Sequence, residues 1–543
     1  MISTAPHVYP EGCYFNTLDD IKGKKVTIMG LGLNGGGEAS VRFFLKYGAI
    51  VTVTDMKTAE QLAPTLASIS MDKDLDKTNL TYVLGRHRIE DFANADCVIK
   101  NPGVKYEGNQ YLEAAKNIET DISIFLHFTK APIIAVTGSK GKSSTVSAID
   151  FGLRQSGYSS FLGGNITVSP LTFLEQTNGL TPVVLELSSW QLRDLRGRKA
   201  LKPKIAIITK IVPDHQNWYG EMDAYVNDKK LIYADMDKDD CLIVDADSDG
   251  YESEATIPEH GIKCWGDLFA SEAKATIFRY SRNYLMPQYF GIYQARDKDM
   301  NIEGFERLPE KYMSRYAVNH GLKEEQIMGK LLVPGEHMKT NVLNAALALR
   351  LMGVSPEQAI SVLGTWKGIN HRLELFLEWH TQPGKLVKDE IRTVRFYNDS
   401  AATVPEAAAA ASQAFDKRIV LICGGTDKDL DFTPLAKTLS GTNFTEYKPR
   451  EIFLLAGSGT DKLKVLLDQK HVKYQGPFES LNTMLNAFKT SLSSTYADQI
   501  YGIPNPNDPL VVVFSPGATS FGMFTNEFDR GDKFKAAVKE IFV

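Results

Sequence analysis

Three stretches of this 543-residue chain repeat one local pattern: a short apolar run, a glycine-rich turn, then a helical periodicity. The first runs from Lys25 to Met29 and into Gly30. The second runs from Pro132 to Val136 and into Thr137. The third runs from Arg418 to Ile422 and into Gly424-Gly425. Short apolar runs that alternate with helical segments read as parallel strands covered by helices on both faces. In such α/β sheets ligands sit at the carboxyl ends of the strands, where all three glycine clusters fall. At roughly 100–200 residues per domain the length suits about three domains. Breaks at Lys130-Ala131-Pro132 and at Gly368-Ile369-Asn370-His371-Arg372 divide the chain into 1–130, 131–368 and 369–543. Residues 245–330, rich in Tyr, Phe and charge with weak periodicity, read as an insertion inside the central domain.

The second glycine cluster carries the most chemistry. Gly138, Ser139, Lys140, Gly141, Lys142, Ser143 and Ser144 follow the strand that ends at Val136. The helix opening near Lys142 has Val146, Ile149 and Leu153 on one face. Backbone N–H groups in such a turn converge on phosphate oxygens, and the helix N-terminus adds partial positive charge. Lys142 is placed to meet the β- and γ-phosphates of ATP, and Ser143 to hold Mg2+. The standard phosphate loop has a further glycine where Val136 stands, so this is a shortened form. Glu186 ends the apolar run Pro182–Leu187, where a lone carboxylate is costly without a partner. A hard cation beside the phosphates is such a partner. Asp214-His215 follows the next apolar run, Ile205–Thr209, and His215 reads equally well as a metal ligand or a turn cap. Lys229, in the helix-like stretch Asp228–Tyr233, reads by default as a solvated surface charge.

Gly30-Leu31-Gly32-Leu33-Asn34-Gly35 satisfies the dinucleotide pattern G-x-G-x-x-G after a strand and before a helix expected over Glu38–Tyr47. Asp55 ends the next strand, where a ribose-binding acid is expected. Alone, this pattern suits a nicotinamide-dependent oxidoreductase. The separate ATP loop, and no evident hydride-transfer constellation, weigh against that reading. The fold class is therefore α/β in three domains: Rossmann-like, then P-loop-type with a mostly parallel sheet, then Rossmann-like again. A net charge of −5 argues against a nucleic-acid surface. Five scattered cysteines without a C-x-x-C pair suggest neither a zinc site nor a disulfide framework. No segment reaches the roughly 18 apolar residues needed to cross a bilayer, and no signal peptide is evident. A cytoplasmic monomer without membrane insertion is expected.

The loop Val136–Ser144 resembles the ATP loop of the Mur ligase family, and further motifs follow in the family's order. They are Gly163-Gly164-Asn165-Ile166, Glu186-Leu187-Ser188-Ser189-Trp190-Gln191-Leu192, Asp214-His215, Gly335-Glu336-His337 with Asn341, and His371-Arg372. Asn398-Asp399-Ser400, Gly424–Lys428 and Ser515-Pro516-Gly517 complete the set. Within the family the chain is most similar to members that join D-glutamate to UDP-N-acetylmuramoyl-L-alanine. The Asp-Asn-Pro-Arg or Asp-Asp-Pro-Arg signature of the diamino-acid branch is missing. The resemblance implies ATP and two Mg2+ ions, the ions held through Ser143, Glu186, His215 and a CO2-modified (carbamylated) Lys229. It implies that Asn341, Arg372 and Asp399 serve the adenosine and phosphates. It implies that Gly32, Leu33, Asn34, Asp55 and Asn165 meet the UDP-sugar. It implies that Lys428, Ser520, Phe521 and Phe528 form the amino-acid pocket. Ala401 stands where the D-glutamate enzymes often carry a lysine, which leaves a ligase of the same family using another amino acid or acceptor open as an alternative.

Overall fold

The computed structural model describes residues 5–543 apart from 167, 248–263, 299–300, 382–391, 416, 442–447, 495, 504, 506 and 521. The described chain divides into two compact units, residues 1–329 with 340–363, and residues 330–339 with 364–543.

The first unit holds two sheets. Its first sheet comprises β1 (Lys25–Met29), β2 (Ile50–Asp55), β3 (Leu80–Leu84), β4 (Cys97–Lys100) and β5 (Ile118–Glu119), all parallel, in the order β3-β2-β1-β4-β5. Strand order reverses beside β1, so the crevice opens next to the Gly30–Gly35 turn that leaves it. The helix after that turn spans Gly36–Lys46, two residues earlier than the sequence suggested. Close packing explains the shift: a Cβ on Gly37 would lie 2.2 Å from the Leu31 carbonyl oxygen.

The second sheet comprises β6 (Ile133–Thr137), β7 (Phe161–Gly164), β8 (Val183–Glu186), β9 (Ile205–Ile208), β10 (Cys241–Asp245), β11 (Thr276–Ser281), β12 (Gly291–Arg296), β13 (Ile302–Arg307) and β14 (Glu325–Met328). Its order is β14-β13-β12-β11-β10-β9-β6-β8-β7. Strands β6, β8, β9 and β10 are buried along nearly their whole length, which is why they read as unbroken apolar runs. The stretch expected to be an insertion carries strands that extend this sheet. β11 and β12 continue it in parallel, and β13 and β14 close its edge antiparallel. Its periodicity is weak because β11 and β12 bury consecutive residues while β13 alone alternates.

The second unit is built on β15 (Glu374–His380), β16 (Thr393–Asn398), β17 (Val420–Cys423), β18 (Glu451–Leu455), β19 (Gln475–Phe478) and β20 (Leu510–Phe514), in the order β15-β16-β20-β17-β18-β19. Only β15 runs antiparallel to its neighbour. Leu421 and Cys423 enter one core, Val420 and Ile422 the other, so helices cover both faces.

Candidate active site

The phosphate loop leaves β6 at Thr137 and enters the helix Lys142–Gln155. Its two glycines are both required. Gly138 and Gly141 have φ of 141° and 97°. A Cβ would stand 2.0 Å from Thr209 Oγ1 at the first and 2.4 Å from Asn341 Oδ1 at the second. Asn341, read from the sequence as a nucleotide contact, therefore sits against the loop itself. The Ser139 and Lys140 N–H groups donate to the Lys210 carbonyl at 2.9 and 3.2 Å. Ser139 Oγ donates to the Val212 carbonyl at 2.8 Å and accepts from the Tyr225 hydroxyl at 3.0 Å. The loop is thus tied down by the segment that follows β9.

Register places the acid. Val136 pairs with Glu186 across β6 and β8, and Gly164 pairs with Glu186 across β7 and β8. Glu186 is 1% exposed. Its Oε1 accepts from Asn165 Nδ2 at 2.9 Å, while its buried Oε2 has no hydrogen-bond partner among the described residues. An unmet buried acceptor costs about 1–3 kcal/mol, so this oxygen is suited to a cation.

Two lysines converge on the loop. Lys142 Nζ donates to the Gly138 and Ser139 carbonyls at 2.9 and 3.0 Å, and Lys229 Nζ donates to the same Gly138 carbonyl at 2.8 Å. Lys229 is 1% exposed, so its default reading as a surface charge is overturned. The helix Met222–Lys229 ends there, and its last residues face inward. Burial first, and the Lys142 charge second, hold the Lys229 amine well below the ordinary lysine range. Tyr225 lies beneath it, the side-chain nitrogen 4.4 Å from the ring centre.

His215 is exposed and caps the helix Gln216–Tyr219 from a left-handed conformation, φ 53°. Its ring lies 4.8 Å from that of Trp190. The neighbouring Asp214 pairs with Lys140 at 3.2 Å. Ser143 is half-buried in the first turn of the loop helix, one residue after Lys142. Among the described residues no three His, Cys, Asp or Glu side chains gather as a metal cluster.

A cleft of about 250 Å3 in the same unit is lined by residues from both of its sheets, among them Gly30, Asn34, Lys100, Asn101, Asn165 and Trp190. The helix Ser189–Arg193, opened by a reciprocal cap between Ser188 and Gln191, carries Trp190 into this wall. Lys100 is neutralised by Asp194 at 2.8 Å, both buried, a pair that no sequence pattern announced. Leu33 and Asn34 are exposed on the first glycine turn. Asp55 is buried and accepts from the Gly32 and Lys57 N–H groups at 3.1 and 2.9 Å, so in this structure it braces the turn.

The second unit carries the remaining expected residues. Asp399 is buried, accepting from Ser515 Oγ at 2.6 Å and the Leu373 N–H at 3.1 Å. Burial pushes its carboxyl up to about 7 against those two bonds. Arg372 is exposed, between two residues in left-handed conformation, His371 and Leu373 with φ of 64° and 44°. Lys428 is exposed and Ser520 buried. Phe528 is half-exposed, its ring edge-on to His371 at 5.5 Å. Phe521 lies outside the described residues.

A lysine-bearing phosphate loop, a buried acid opposite it and a cleft running from a dinucleotide-type turn define a nucleotide-dependent enzyme of the parallel α/β class. The Mur ligase middle domain matches residues 136–349, and the N-terminal domain of MurD-like Mur ligases matches residues 24–123, together more than half of the chain. UDP-N-acetylmuramoylalanine--D-glutamate ligase of Treponema pallidum (strain Nichols) is 39% identical, covering 96% of this chain and 98% of that protein. The protein of the same name from Borreliella burgdorferi (strain ZS7) is 37% identical over 96% and 99%. Among solved structures, MurF of Acinetobacter baumannii aligns with a TM-score of 0.54 at 14% identity, covering 99% of this chain and 100% of that one. The UDP-N-acetylmuramate-alanine ligase MurC of Thermotoga maritima aligns with a TM-score of 0.51 at 16% identity, over 95% and 100%; both speak to the fold. The chain belongs to the Mur ligase family. The oxidoreductase reading of the first glycine turn is set aside. No helix among the described residues is long and apolar enough to cross a membrane.

Proposed function

We propose that this chain is an ATP-dependent ligase of peptidoglycan precursor synthesis that joins D-glutamate to UDP-N-acetylmuramoyl-L-alanine, acting as a cytoplasmic monomer. The observation that carries this reading is the near full-length similarity to ligases of that name at up to 39% identity. A carboxylate is a poor electrophile. In this reading an oxygen of the L-alanyl carboxylate attacks the γ-phosphorus of ATP, the bond to the leaving ADP breaks, and an acyl phosphate forms. The amino group of D-glutamate then adds to the carbonyl carbon. Loss of a proton from nitrogen and departure of phosphate leave the amide.

The chain's own residues serve this chemistry by position and charge. Gly138, Ser139, Lys140, Gly141 and Ser144 form the phosphate cradle, and Lys142 offsets charge on the transferring group. Gly32, Leu33, Asn34 and Asp55 serve the UDP end of the acceptor, and Asn165 its muramoyl part across the cleft. Asn341, Arg372 and Asp399 serve the nucleotide. Lys428, Ser520, Phe521 and Phe528 receive the amino acid, with the lysine meeting a carboxylate.

The donors present fit magnesium. Ser143, the unmatched Glu186 oxygen, His215 and a modified Lys229 would hold two such ions between them, which suits an ion that keeps several waters and binds few protein ligands. When bound it supplies neutralisation of phosphate charge. Lys229 fits carbamylation because burial weakens the amine's hold on its proton, and a free amine attacks CO2, releasing one proton and becoming an anion.

A second reading, transfer of a different amino acid, rests on Ala401. One assay separates the two. Purified protein with ATP and UDP-N-acetylmuramoyl-L-alanine is expected to release phosphate when D-glutamate is added, and not with L-glutamate or other D-amino acids. Release with a different amino acid alone would establish the second reading.

A further inference from the structure

Arg530 is one of the most deeply buried large side chains in the second unit, 1% exposed, yet no carboxylate lies within ion-pairing distance of it among the described residues. Its partners are neutral oxygens. Nε donates to Ser400 Oγ at 3.0 Å, Nη2 to the Ser400 carbonyl at 2.8 Å, and Nη1 to the Ala518 carbonyl at 2.9 Å. Ser400 Oγ in turn donates to the Glu527 carbonyl at 2.7 Å, which docks that turn on the start of the helix Glu527–Phe542. The planar guanidinium therefore joins two turns: the one carrying Asp399 and the one leading through Thr519 to Ser520.

A buried cation without an anionic partner is costly to keep. Burial weakens its hold on the proton, bringing it down to about 10, with only Glu527 pulling the other way. Its planar fork satisfies three donors, which a lysine could not do in the same geometry. Those bonds rigidify the turns, but neutral carbonyls leave most of the charge uncompensated. Inside a low-dielectric unit that charge acts over several ångströms on whatever binds at the adjacent surface.

We propose that Arg530 is a positioning residue for the amino-acid substrate, its unpaired charge favouring a dicarboxylate at the Ser520 turn while its three donors fix that turn against Asp399. The inference rests on the ligase reading above and adds a source of acidic-substrate preference that does not touch the substrate. It also bears on Ala401, whose N–H donates to the His371 carbonyl at 3.0 Å and whose methyl brings no charge to this region.

The test uses the whole enzyme and steady-state kinetics for each substrate in turn. Arg530→Met is expected to raise KM for D-glutamate about tenfold or more, with KM for ATP and for the UDP-sugar within about twofold. Arg530→Lys, which keeps the charge but not the three-donor fork, is expected to raise KM for D-glutamate by less than half as much as Arg530→Met does. A purely structural clamp would instead lower kcat, leave no KM change peculiar to D-glutamate and treat the two variants similarly, and that result would overturn the proposal. So would an unchanged KM for D-glutamate in a folded Arg530→Met. If the methionine variant does not fold, Arg530→Gln, which removes the charge and keeps amide donors, takes its place: a D-glutamate KM no higher than that of Arg530→Lys counts against the charge. Failure of the ligase reading is distinguishable, because wild type would then show no D-glutamate-dependent turnover at all.

Discussion

Lys142→Ala is expected to cut acceptor-dependent phosphate release by about a thousandfold or more, with the melting temperature close to wild type. The lysine stands at the first position of the loop helix, half-buried, with its amine turned back onto the Gly138 and Ser139 carbonyls. Those bonds place a cation over the loop. The helix itself does not depend on the side chain, because its buried face is Val146, Ala148, Ile149 and Leu153. Phosphoryl transfer concentrates negative charge on non-bridging oxygens, so the loss falls on the rate more than on stability. Lys142→Arg would keep the charge in a bulkier fork and recover little, since the site is framed by glycines whose Cβ positions are already blocked. Retention of full activity in a folded Lys142→Ala would mean that the loop does not hold the reacting phosphates.

Lys229→Ala is expected to lose at least about a hundredfold in rate, and a short carboxylate such as formate or acetate is expected to restore part of it. The buried amine contacts the loop through Gly138, and burial, with the Lys142 charge beside it, lowers its proton affinity and favours the neutral form. Neutrality is what CO2 capture requires. Wild-type protein in 13C-bicarbonate is expected to give a carbamate carbon signal that Lys229→Ala lacks. The adjacent Lys230 is not equivalent: it pairs with Glu272 at 2.8 Å, so its charge is already engaged. Wild-type rate in the alanine variant, or a carbamate signal that persists in it, would remove Lys229 from the chemistry.

The contrast between these two lysines explains how much the sequence revealed. The place of Lys142 on the loop was legible because it follows from local order alone: strand, glycine turn, helix. The same logic placed β1, β6 and β17 within a residue or two. Glu186 was legible as an acid in an apolar run. Lys229 was not legible from spacing, because its burial depends on packing against a loop about ninety residues earlier, and only the family resemblance singled it out. Arg530 and the Lys100–Asp194 pair stayed hidden for the same reason: they join segments 130 and 94 residues apart, and nothing in the neighbouring residues marks them. Strands β11 and β12 stayed illegible because strands that bury consecutive residues lose the alternation by which a strand is recognised.

The central claim is that the acceptor's own carboxylate takes the γ-phosphoryl group of ATP before the amide forms. It is tested most directly with UDP-N-acetylmuramoyl-L-alanine carrying 18O in both oxygens of its carboxylate. With ATP and D-glutamate, one labelled oxygen is expected to appear in each released phosphate and the other to stay in the amide carbonyl. Phosphate free of label, with both labelled oxygens left on unreacted acceptor, would contradict the account.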